Sequence, residues 1–150
     1  MNAYVKFTLM ILTSAFIMYW LTFLNTFQFD HIFYSETRVY MALIMGSTMA
    51  IVMLLFMWPM YKNKKANAVI LGTSAVVFAL SLWLVRSQTL IEDVKWMEAM
   101  IPHHSIAILT SERANISDPR VRELADSIIE AQRKEIAEMK KLIEDLEDEE

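Results

Sequence analysis

Three apolar runs, at about residues 4–24, 39–58 and 68–85, constrain this chain more than any other feature, because each approaches the roughly 20 residues needed to cross a hydrocarbon core. A backbone in lipid must satisfy its own N–H and C=O groups, so the runs are predicted to be transmembrane helices. The first, with Lys6 near its start, invites a signal-peptide reading. It is too long for an apolar h-region and no small-residue cleavage pattern follows, so it is read as a retained span.

From residue 88 onward charges crowd in, and the chain divides into a transmembrane domain at 1–87 and a charged segment at 88–150. Lys62, Lys64 and Lys65 share the short second loop, and basic residues beside span ends are held on the cytoplasmic face. The N-terminus is then cytoplasmic, and the 25–38 loop and the C-terminal segment are outside. In a bacterial inner membrane the charged segment faces the periplasm or the exterior.

The chain has no cysteine, which removes disulfides and thiolate metal sites in that oxidising compartment. Soft-metal binding would fall to methionine sulfur and imidazole. A net charge of -4 is too small to imply a partner, and an acidic, outward-facing, membrane-bound segment argues against nucleic acid.

The second span carries Met41, Met45, Met49, Met53 and Met57 along one i,i+4 ridge. Thioethers in that order could pass a soft cation along the helix, or serve as flexible filler against neighbouring helices. Gly46, Ser47 and Ala50 lie among them, and small residues let membrane helices approach closely. The packing reading is preferred. The 25–38 loop holds His31 beside Asp30 and near Glu36, three possible ligands among Phe27, Phe29, Phe33 and Tyr34. Those aromatic rings equally suit the lipid headgroup level.

The periodicity of 90–114 and 118–146 is that of amphipathic helices, with Asp118 as N-cap and Pro119 at the first helical position, which predicts an αα-hairpin. Its second apolar stripe reads Val121, Ala125, Ile128, Gln132, Ile136, Met139, Ile143 and Leu146. In the first helix Met97, Met100 and His104 share a face, His103 is offset, and Pro102 frees a carbonyl and bends or restarts the helix. Folding the hairpin about 115–117 sets Met100 near Gln132, Met97 near Glu135 and the histidines near Ile128 and Ile129. So short a hairpin cannot cover both stripes alone. Two copies completing a four-helix bundle is the expected solution, as a homodimer or higher homo-oligomer.

The segments "WMEAMIPHHSIAI" and "VRELADSIIEAQRKEIAEMKKL" resemble the domain-of-unknown-function 305 family, a bacterial and mostly exported family with a Met-Ile-Pro-His-His motif and a later Gln-x-x-Glu-Ile-x-x-Met motif. The resemblance spans about residues 91–146. It implies ferritin-like bundles of two-helix repeats, some acting in periplasmic copper binding or tolerance. Carried position by position, it points to Met97, Met100, His103 and His104, then Gln132, Glu135 and Met139, as metal ligands. Only one repeat is present, so the ferritin-like half-bundle would be completed between subunits.

Ferritin-like di-iron sites use Glu-x-x-His, whereas here Met100 precedes His103 as Met-x-x-His. A thioether in that place moves preference from iron to copper, with other divalent ions as lesser candidates. Ser105 and Ser111 lack a nucleophile elbow or oxyanion scaffold, and glycine is almost absent, so no enzyme is expected. The sequence therefore predicts an all-α, membrane-anchored, extracytoplasmic copper-binding protein, with His31 as a weaker candidate ligand. The competing reading is an oligomeric membrane scaffold in which His103 and His104 make structural hydrogen bonds.

Overall fold

The computed structural model describes residues 2–24 and 26–148, and the regular elements among them are all helical. These are α1 (Ala3–Leu21), α2 (Glu36–Phe56), α3 (Lys64–Ser87), α4 (Asp93–Arg113) and α5 (Pro119–Asp148), with short 3-10 turns at Phe29–His31 and Trp58–Met60. They form two compact units, one of Met1–Thr22 with Thr37–Leu90, the other of Phe23–Glu36 with Ile91–Glu150. The compositional boundary at residue 88 is thus crossed by one segment, the loop between the first two apolar helices. Composition separates lipid-like from water-like stretches, but it does not say where a loop docks.

In the first unit, α1, α2 and α3 are each long and apolar enough to cross a membrane. On α1 the covered positions include Tyr4, Phe7, Ile11, Ala15 and Met18, and on α3 Asn67, Ile70, Ser74, Val77, Ser81 and Leu84. Steps of three and four give each helix one continuous seam. The buried positions of α2 are Ala42, Gly46, Ser47, Ala50 and Leu54. Most are small, and a Cβ on Gly46 would lie 3.2 Å from Cβ of Ala15, so α1 and α2 touch there at close range. The methionine ridge borders this contact. Met53 and Met57 pack against a cluster of Phe7, Ala50, Leu54 and Tyr61, while Met41 is exposed.

Asn67, 1% exposed, is the polar centre of this unit. Its amide donates to the Tyr61 carbonyl at 2.8 Å and its oxygen accepts from the Tyr4 hydroxyl at 3.0 Å, so the buried group is satisfied at both ends. Replacing Gly46 by leucine is expected to force α1 and α2 apart at a cost of about 1–3 kcal/mol. Thermal unfolding in detergent should show a lowered midpoint for Gly46→Leu and a much smaller change for Gly46→Ala.

In the second unit α4 and α5 form an antiparallel hairpin, with Arg122 donating to the Ser111 carbonyl at 2.9 Å near its tip. Ala114 leaves α4 in an extended conformation, and the Asp118 carboxylate accepts the Arg120 amide at 2.8 Å, capping α5 as expected. Helix α4 runs through the buried Pro102 without a break in assignment. Met97, Ile101 and Ile108 meet Ile136, Met139 and Ile143 in the core, with Ile129 and Leu146 packed beside them. The covered stripe of α5 is Ala125, Ile129, Gln132, Ile136, Met139, Ile143 and Leu146. Its strict alternation of four and three keeps facing α4, which is why Ile129 replaces the expected Ile128 and Val121 is left exposed.

Candidate functional site

The site residues of the hairpin centre on His104. Its Nδ1 lies 3.0 Å from the Met100 carbonyl, one turn earlier, and its Nε2 lies 2.8 Å from Oε2 of Glu135 on α5. A carbonyl only accepts, so Nδ1 carries a proton and donates it. Nε2 then faces a carboxylate oxygen, and two acceptors cannot meet at that distance without a cation between them. The contact is a hydrogen bond across the hairpin, with a proton between Nε2 and Oε2.

Glu135 therefore meets His104, whereas alignment of Cα levels places it opposite Met97. Helical side chains lean toward their own N-terminus, and in an antiparallel pair the two leans converge. A histidine and a glutamate whose Cα atoms are offset along the axis consequently touch.

The other sequence-designated residues spread around this pair. The His103 ring is exposed, with its centroid 6.2 Å from that of His104. Met100 is half-buried against the core, and Gln132 is half-buried on α5. Met97 and Met139 are 5% and 7% exposed and lie within the apolar cluster. Among the described residues, no three or more His, Cys, Asp or Glu side chains converge as a metal-holding group.

His31 lies at a second centre, which the sequence did not disclose. The ring is buried, and its Nδ1 is 2.9 Å from Oγ of Ser105, itself fully buried on α4. That oxygen also accepts the Phe27 amide at 2.6 Å, which directs the hydroxyl proton toward the ring. Asp30 accepts from Lys140 of α5 at 2.6 Å, Glu36 pairs with Lys95 of α4 at 2.9 Å, and the Phe27 ring lies under Arg133 at 5.8 Å. Phe27 and Phe33 pack on the hairpin core, while Phe29 and Tyr34 stay exposed. The 23–36 loop is thus a strap across both helices, and it covers part of the apolar face that seemed to require a second copy.

Charge follows from these contacts. The hydrogen bond from Lys140 holds the Asp30 carboxyl below its usual range against the opposing effect of burial. Burial pushes the His31 ring below its ordinary 6.5, with Asp30 pulling the other way and Lys140 reinforcing the drop. A cavity of about 440 Å³, lined by Phe27, His31, Arg133, Ile136 and Lys140 among others, gives water access to this corner. Because the unfolded ring takes up its proton at higher pH than the folded one, the strap's stabilisation is complete above pH 6.5 and is lost as pH falls through the folded value. Protection factors across residues 26–35, corrected for the intrinsic slowing of exchange in acid, should therefore fall on acidification, and that fall should flatten in His31→Gln.

Sequence reasoning weighed Ser105 only as a nucleophile and gave no role to Lys140 or Glu98. The Glu98 carboxyl is pushed up by burial and by Glu147, against the pull of Lys95. None belongs to a motif. Ser105 could have drawn notice only as a hydroxyl at a position in phase with Met97, Ile101 and Ile108.

Residues 91–150 match a family described as a domain of unknown function (DUF305). An uncharacterized protein, L153, of Acanthamoeba polyphaga mimivirus is 32% identical over 108 residues, which cover 71% of this chain and 69% of the viral protein. That alignment is longer than segment 91–150, so it extends into the apolar half. No solved structure matches the chain.

Proposed function

The chain belongs to the DUF305 family, and on that premise we propose that it is a membrane-anchored copper-binding protein that sequesters the ion or hands it to a partner. The proposal rests on the ring of His104. Its Nδ1 lies on the Met100 carbonyl, and its Nε2 and the Glu135 carboxylate face each other at 2.8 Å, so that loss of the proton between them would leave an imidazole nitrogen and a carboxylate oxygen for a metal ion. A hydrogen bond from the distal nitrogen is the usual way proteins orient a metal-binding imidazole.

The residues fit such an ion in part. His104 and Glu135 supply an oriented nitrogen and oxygen, and His103 and Met100 stand on the same stretch of α4 for a further ligand. Met97 and Met139, buried in the apolar cluster, act in packing. Imidazole and carboxylate suit Cu(II), and imidazole with thioether suits Cu(I), so both oxidation states find donors here. The remaining positions would be filled by solvent or by a second copy, completing a ferritin-like bundle. The basic loop at Lys62–Lys65 supports an extracytoplasmic hairpin under the positive-inside rule.

Titration of the full chain in detergent with Cu(I) and with Cu(II) tests the proposal. Saturable binding of at least one state is expected, and no binding of either would end it. A second reading has its own support, because a histidine–glutamate hydrogen bond between helices is complete without metal. Under that reading the chain is an assembly scaffold, and loss of His103 and His104 lowers oligomer stability equally with and without copper.

A further inference from the structure

The strap is two-faced. After the 3-10 turn at Phe29–His31 the backbone is extended at Ile32, and burial alternates along 31–35: His31, Phe33 and Ser35 are covered while Ile32 and Tyr34 are exposed. That alternation has the period of two in which successive side chains take opposite sides, and it sets Ile32 and Tyr34 on the side away from the hairpin. Phe29 is 93% exposed and Leu24 is 79% exposed. Single exposed apolar residues are ordinary, but four large ones within residues 24–34, on a segment otherwise bonded to the hairpin, form a surface with an unmet need for cover.

We infer that this outer face rests in the interfacial zone of the bilayer, with Phe29 and Tyr34 as its anchors and a lipid surface as its partner. The inference rests on the membrane reading of α1 and α2. The strap is tethered at both ends, since α1 ends at Leu21 and α2 begins at Glu36. Phe29 lies midway, and even fully extended chain could carry it no more than about 29 Å from the end of α1 and about 25 Å from the start of α2. Tyrosine matches the aromatic enrichment of membrane interfaces, and the exposed phenylalanine adds apolar area to the same segment. Because the inner face is bonded to Ser105, Lys140 and Lys95, an anchored outer face would hold the hairpin down on the membrane.

The absence of cysteine makes the test direct. Full-length chains carrying Phe29→Cys, Tyr34→Cys, Leu124→Cys or Val76→Cys are nitroxide-labelled in vesicles of phosphatidylcholine and phosphatidylglycerol. Collision is then measured with oxygen, which enters lipid, and with a nickel chelate, which stays in water. Val76 lies in α3 and Leu124 on α5, and both are exposed. Labels at 29 and 34 should meet the chelate several-fold less often than the label at 124 while remaining open to oxygen. A chelate-accessible label at 76 would overturn the membrane reading itself. With 76 in lipid, chelate access at 29 and 34 equal to that at 124 would overturn only the present inference. Shielding of 29 and 34 from both reagents would also overturn it, pointing to a second copy or another protein.

Discussion

Copper affinity is expected to fall at least about a hundredfold when His103 and His104 are both replaced by alanine, with helix content unchanged. Loss of a partner that merely orients a ligand costs about 10- to 100-fold in affinity, and loss of both ring donors should exceed that. The fold should survive, because His103 is exposed and Glu135, half-exposed in its pair with His104, regains water when that ring is gone. His104→Ala alone should account for most of the loss, since only that ring shares a point with a carboxylate. Replacing Met97 and Met139 together by leucine provides the contrast. Both sit in the apolar cluster, so this pair should leave affinity nearly unchanged. Binding measured by competition against a chromophoric chelator separates the cases, and equal losses in both variants would refute the division of roles.

The second large effect concerns Ser105. Alanine there is expected to free the strap, because one buried hydroxyl satisfies both the Phe27 amide and Nδ1 of His31. Leaving the buried His31 ring and the part-buried Phe27 amide without this partner costs about 2 kcal/mol. On the exchange scale this means amides of residues 26–35 opening about 30-fold more often, while those of α5 change little. Ser105→Thr, which keeps the hydroxyl, should fall between wild type and alanine. Unchanged exchange in Ser105→Ala would mean that the strap is held by its apolar contacts and ion pairs alone.

The helices were legible in the sequence because each has one dominant cause. Length and apolarity identify α1 to α3, and Asp118 with Pro119 marks the start of α5 within one residue. The small-residue contact at Gly46 was also legible, since only small side chains permit such an approach. The seam of Asn67, Ser74 and Ser81 was not, because polar residues in an apolar run read as interruptions until their seven-residue spacing is placed on one face. At the hairpin, motif and spacing designated His104 and Glu135, but their contact depends on side-chain direction. The strap was hidden for a different reason. Whether Phe27 and His31 face lipid, water or protein depends on residues about seventy-five positions away, such as Ser105, and no local pattern reports that distance.

Metal between His104 and Glu135 is the central claim, and an anomalous difference map recorded at the copper edge from copper-loaded, full-length protein tests it most directly. The expected result is a peak within bonding distance of both Nε2 of His104 and the Glu135 carboxylate. A peak elsewhere, for instance along Met41 to Met57, or no peak with the His104–Glu135 hydrogen bond intact, would contradict it.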